Sequence, residues 1–112
     1  MTTNCATTIE MVSFKLNENA TKAQMIATNS AMQTFLNQQP GFLYRSLSCD
    51  DQGQWFDVVY WASLEQAQQG GEAFMKSDAC ATLMPLIDAE SCKMRHMNAL
   101  SEILSDSLAA KN

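Results

Sequence analysis

Hydrophobic residues recur along this chain with two spacings, every second residue and every third or fourth, and the changes between them mark its elements. From Thr7 to Leu16 the period is two: Glu10, Val12, Phe14 and Leu16 share one side, and Ile9, Met11, Ser13 and Lys15 the other. This predicts a first strand that is apolar on both faces at its centre. The helical period begins after Asn17-Glu18-Asn19, where Thr21-Lys22-Ala23-Gln24 has the form of a capping box. Met25, Met32, Phe35 and Leu36, with Ile26 alongside, make the buried stripe of one helix that ends at Pro40-Gly41.

Alternation returns from Phe42 to Asp50, with Leu43, Arg45, Leu47 and Cys49 set against Phe42, Tyr44, Ser46 and Ser48. Asp50-Asp51-Gln52-Gly53 is a turn short enough to make a hairpin with Trp55–Trp61. That third strand is the densest apolar stretch: Trp55, Asp57, Val59 and Trp61 face one way and Phe56, Val58 and Tyr60 the other. Ser63-Leu64-Glu65-Gln66 reads as a second capping box, opening a helix that buries Leu64, Ala67, Gly71, Phe74 and Met75. Its Gly70-Gly71 pair implies close approach to a neighbour, or a kink.

Ser77-Asp78 caps a shorter helix carrying Leu83, Met84, Leu86 and Ile87, bent or cut short by Pro85. Ser91 to Asn98 is a fourth strand, with Cys92, Met94 and His96 against Lys93, Arg95 and Met97. The tail from Leu100 to Asn112 has one apolar helical face and either docks, on this or a partner chain, or frays, and residues 1 to 6 are expected to be loosely held.

The order βαββαβ predicts an α+β, ferredoxin-like sandwich: a four-stranded antiparallel sheet with its helices on one face. The other face would then be uncovered, yet strands one and three keep Ile9 and Met11, or Trp and Val, on either side, so whichever face is left is too apolar for water and a second copy is expected to cover it as a homodimer. The 112 residues are expected to form a single domain, with a core over 7–98 and a helical tail over 99–112.

Composition narrows the function. A net charge of −5 and only seven scattered basic residues oppose nucleic acid and an anionic membrane surface. No apolar run approaches the length of a membrane span and no leader pattern precedes the first strand, so a cytoplasmic location is expected. The cysteines at 5, 49, 80 and 92 are too dispersed for a CxxC-type zinc or redox motif and read as reduced, packed thiols; no metal site is expected. Nothing suggests a nicotinamide or flavin site, and no cofactor is expected.

Several stretches carry a family resemblance. Glu10-Met11-Val12-Ser13-Phe14-Lys15-Leu16, Gln39-Pro40-Gly41-Phe42, Val59-Tyr60-Trp61 followed by Ala62-Ser63-Leu64-Glu65, and Phe74-Met75-Lys76-Ser77 resemble the antibiotic biosynthesis monooxygenase superfamily over residues 8 to 98. The resemblance implies pairing as a dimeric α/β-barrel and, for some members, cofactor-independent oxidation of aromatic molecules between sheet and helices. The haem-degrading branch of that superfamily uses an Asn, a Trp and a His. Here no Asn lies in the first strand, no Trp in the second helix, and no His before position 96.

Chemistry of that kind needs an apolar pocket, a group that deprotonates or orients a phenol, and access for oxygen. The candidates for acid/base work are His96 and Asp57, with Tyr60, Trp61, Arg45 and Glu10 as substrate-binding residues. Each also has a structural reading: His96 as a surface or satisfied histidine, Asp57 and Arg45 as an ion pair, the aromatics as core or interface, and Glu10 as a solvated or interface carboxylate. Two functions follow. One is a small enzyme acting on a hydrophobic, aromatic compound; the other is a non-catalytic dimeric module that binds a small molecule or serves a stress or regulatory role.

Overall fold

The computed structural model describes residues 7–109, and the order of its elements follows from which segments can bury one face. The strands are β1 (Thr8–Phe14), β2 (Phe42–Cys49), β3 (Trp55–Trp61) and β4 (Lys93–Asn98). They form one antiparallel sheet in the order β2-β3-β1-β4, so the two most apolar strands are central. The helices are α1 (Lys22–Ala27), α2 (Asn29–Asn37), α3 (Leu64–Met75), α4 (Asp78–Leu83) and, in the tail, α5 (Asp106–Ala109).

Burial along β3 alternates without exception: Trp55, Asp57, Val59 and Trp61 are buried, and the residues between them are half-buried. The buried set meets the helices. Met32, Leu36, Val59, Trp61, Ala67 and Ala79 form one core cluster, and Phe14, Met25, Trp55, Leu83 and Ile87 another. The space between sheet and helices is thus filled by a mixture of aliphatic, methionine and aromatic side chains. The other sheet face carries Ile9, Met11, Phe56, Val58 and Tyr60, with none of the core helices against it.

Local chemistry sets the boundaries. Thr21 Oγ1 accepts from the Gln24 N–H at 3.2 Å and the Gln24 side chain accepts from the Thr21 N–H at 2.9 Å, completing the expected box. The single helix expected beyond it is two, because Thr28 breaks it: its hydroxyl turns back to the Met25 carbonyl at 2.6 Å and competes with helix propagation. Ser63 caps α3 through the Gln66 N–H at 3.1 Å, but the reciprocal arm is missing, since the side-chain Oε1 of Gln66 accepts from the Ser63 hydroxyl instead. Pro85 ends α4 and places Met84–Leu86 in a 3₁₀ turn.

Two sequence expectations about facing are corrected. A bulge at Leu43 adds one residue to β2, so Phe42 joins the helix side and meets Trp61 edge-on at 6.1 Å, while Leu43 is exposed. In α3 only Ala67 and Phe74 of the expected stripe pack inward, Gly70 is buried in place of Gly71, and Leu64 and Met75 are exposed. In the described part of the tail Leu100, Ile103 and Leu104 are exposed and the helix is a single turn, while Leu108 of the expected apolar face lies outside the residues whose side chains are described. Residues 1 to 6, Cys5 among them, lie outside the described residues. No helix among the described residues is long and apolar enough to cross a membrane.

A methyl at Gly70 would enter the indole ring of Trp61, whereas one at Gly71 meets nothing. Gly70→Ala is therefore expected to destabilise the fold by about 1–3 kcal/mol through overpacking. Gly71→Ala should leave it unchanged or raise it by up to about 1 kcal/mol through helix propensity. Urea denaturation of the two variants checks the contrast.

Candidate functional site

Antiparallel register brings residues distant in sequence into one row across the helix side of the sheet. Arg45 on β2 pairs with Val59 on β3, Val59 with Glu10 on β1, and Glu10 with His96 on β4. Asp57 and Trp61 flank Val59 on the same face. The row therefore carries two polar groups, one toward each edge, separated by an apolar centre.

Toward β2, Arg45 grips Asp57 with both arms: Nε donates to Oδ1 at 2.9 Å and Nη2 to Oδ2 at 2.8 Å. Its remaining nitrogen, Nη1, donates to Asn29 Oδ1 on α2 at 2.8 Å. Both charged side chains are about nine-tenths buried. A carboxylate among Trp55, Val59 and Trp61 is costly to bury without a partner, and the planar guanidinium supplies two aligned donors for it. Asp57, expected as an acid/base candidate, thus has both oxygens engaged.

Toward β4, the Trp61 indole N–H donates to Glu10 Oε1 at 3.0 Å. The second Glu10 oxygen lies 3.5 Å from His96 Nε2, near enough for charge interaction but not aligned as a hydrogen bond. His96 Nε2 is buried without a hydrogen-bond partner among the described residues, and so is Thr8 Oγ1, one strand repeat from Glu10 on the same face. Beside them Met94 is exposed, so the helix-facing side of β4 opens to solvent.

Four sequence candidates, His96, Glu10, Trp61 and the Arg45–Asp57 pair taken as a unit, therefore share the helix side. Tyr60 does not. It lies on the opposite face, opposite Ile9 in β1, with its ring 5.9 Å from that of Tyr44, because strand alternation turns it away from Trp61. Asn29 and Thr8 take part without having been singled out, since one amide on a helix and one threonine in a strand carry no pattern of their own.

Two concavities stand apart from His96 and Glu10. A groove of about 330 Å³ runs beside Arg45 between α2 and the β2 edge, and a polar cleft of about 780 Å³ sits between the Leu16–Ala20 loop and Pro85. Among the described residues no group of three His, Cys, Asp or Glu side chains could hold a metal ion.

The sequence matches no protein-family model and no curated protein. Solved structures do match its fold. SnoaB from Streptomyces nogalater, a cofactor-independent oxygenase, superposes with a TM-score of 0.70 over 89% of this chain and 99% of that one, at 12% identity. A monooxygenase from the gene ActVA-Orf6 of Streptomyces coelicolor, in complex with nanaomycin D, gives 0.64 over 90% and 94%, at 17% identity. A protein of unknown function from Nitrosomonas europaea gives 0.68 over 92% and 98%, at 12%. With its four-stranded antiparallel sheet and one helical layer, the chain has the α+β, ferredoxin-like fold of the antibiotic biosynthesis monooxygenase structures.

Proposed function

We propose that the chain handles a hydrophobic, aromatic small molecule on the helix side of its sheet, and that His96 and Glu10 there move a proton from it. The observation that carries this reading is the unpartnered, buried Nε2 of His96 beside a carboxylate already held by Trp61. A neutral imidazole with its lone pair on Nε2 accepts the O–H proton of a phenol or enol. The cation so formed faces the free oxygen of Glu10, and Coulomb attraction in a partly water-excluded site stabilises it. The electron-rich anion left behind can reduce molecular oxygen directly. In the balanced reaction one oxygen atom becomes a carbonyl of the product and the other leaves as water.

In this reading Arg45 and Asp57 hold β2, β3 and α2 together and take no part in proton transfer, and Tyr60 belongs to the face between two copies. The apolar outer face, with Ile9, Met11, Phe56, Val58 and Tyr60, supports a homodimer that closes as a dimeric α/β-barrel. A second reading, a module without catalysis, draws support from the apolar side chains that fill the space between sheet and helices.

Three outcomes are expected. Anthrone, which consumes one oxygen molecule in becoming anthraquinone, is turned over by the wild type; His96→Ala lowers kcat about 10²–10⁴-fold in an oxygen electrode with the fold intact. Nanaomycin D or anthrone binding without any turnover selects the module instead. Breaking the buried pair singly, as Arg45→Met or Asp57→Asn, costs about 3–5 kcal/mol in urea denaturation, while Arg45→Met with Asp57→Leu recovers most of that. In sedimentation at micromolar concentration the chain runs as a dimer and Val58→Asp as a monomer; a monomeric wild type overturns the barrel pairing.

A further inference from the structure

Two features at opposite edges of the sheet have no counterpart within the single chain. Phe42 at the start of β2 pairs with Trp61, Trp61 with Thr8, and Thr8 with Asn98 at the end of β4. The outer strands thus hold opposite ends of one row, about 14 Å apart for three strand spacings. Beyond Asn98 the chain leaves the sheet after a bond from the Ala99 N–H to the Thr7 carbonyl. Leu100 and Ile103 are then 93% and 92% exposed, and Leu104 is 60% exposed. Their spacing is that of one helical face, yet only Asp106–Ala109 forms a turn of helix, because so short a segment holds no helix without a surface to lie on.

At the other end of the row lies a surface of matching character. The groove of about 330 Å³ between α2 and the β2 edge is lined by Leu36, Phe42 and Leu43, and the bulge leaves Leu43 55% exposed. Asn29, Gln33 and Asn37, four residues apart along α2, line it as well. Arg45 occupies the Asn29 oxygen, which leaves that amide nitrogen to donate, and the other two amides can donate or accept. Its one charged residue, Arg45, is already paired with Asp57. Apolar contact flanked by amides, with no unpaired charge, suits a short apolar stretch of polypeptide.

We propose that the tail of one copy of this chain seats Leu100, Ile103 and Leu104 in the α2–β2 groove of a second copy, and that the second copy does the same in return. Closing two sheets into a barrel brings unlike outer strands together, and a two-fold axis parallel to the strands does so. Such an axis exchanges the two ends of the row and keeps their level along the strands. Asn98 of one copy then stands over Phe42 of the other, at about the 10 Å spacing of packed sheets. The tail therefore starts beside the groove it enters, whereas within its own chain it would have to cross the end of the whole sheet. This rests on the homodimer reading of the outer face and adds a second, reciprocal contact to it.

Sedimentation equilibrium and disulfide cross-linking test the contact. Leu43 and Ile103 are both exposed in the single chain, so substituting either leaves the core intact. Leu43→Asp and Ile103→Asp should each raise the dimer dissociation constant at least tenfold. Together they should raise it little further than either alone, because both remove the same contact. Mixed under mild oxidation, Leu43→Cys and Ile103→Cys should form a linked pair, identified by the mass of the joined peptides, that neither variant forms alone. Unchanged constants in both aspartate variants, or absence of the mixed disulfide, overturns the tail contact and leaves the homodimer standing. In a chain carrying both new cysteines, a link within that one chain overturns it as well. A monomeric wild type overturns the contact and the homodimer together.

Discussion

The indole of Trp61 is the point at which packing and chemistry meet. Trp61 is 2% exposed, its ring presses on the α3 position where only glycine fits, and it packs near-perpendicular to Phe42 on the neighbouring strand. Its single polar atom reaches out of that packing to fix one oxygen of Glu10. A tryptophan whose ring is locked in a core holds its N–H in place at little further entropic cost. The orientation of the carboxylate beside His96 is thus inherited from the core, and any change that loosens α3 against the sheet also loosens the site.

The same sheet face solves a second electrostatic problem differently. At Asp57 the charge is enclosed, and the answer is a bidentate cation with no capacity left over. At Glu10 one oxygen is satisfied and the other is left facing a histidine that lacks a partner. Two carboxylates set diagonally on adjacent strands thereby acquire opposite characters: one is committed to holding strands together, the other has an oxygen left over. Burial alone does not distinguish them, and the difference lies in the count of donors around each.

Much of this architecture can be read from residue order. The alternation of Trp55–Trp61 foretells a central strand buried on one side and apolar on the other, and Thr21 with Gln24 marks a helix start that forms as written. Departures occur where one residue changes phase. Leu43 bulges and carries Phe42 to the other face; Thr28 bonds its own turn and divides a helix; α3 rotates so that Gly70 meets Trp61. The site is less legible. Glu10 and His96 meet only through the pairing of the first and last strands, and nothing local to either residue announces it. Asp57 with Arg45 was legible as a pair because hairpin neighbours are close in sequence as well as in space. Thr8 was not, since an unpaired hydroxyl is a property of what surrounds it.

The bulge at Leu43 has a consequence for how copies of the chain can meet. Both outer strands of the sheet, β2 and β4, offer backbone groups to which another strand could add. On β2 the bulge interrupts the regular ladder, and on β4 Lys93 and Arg95 put positive charge along the edge, so strand addition is discouraged at either end. Edge pairing can continue without limit and ends in fibres, whereas contact through flat faces is used up once two molecules meet. One extra residue in an outer strand thus discourages open polymers, a safeguard for a chain that carries so apolar a sheet.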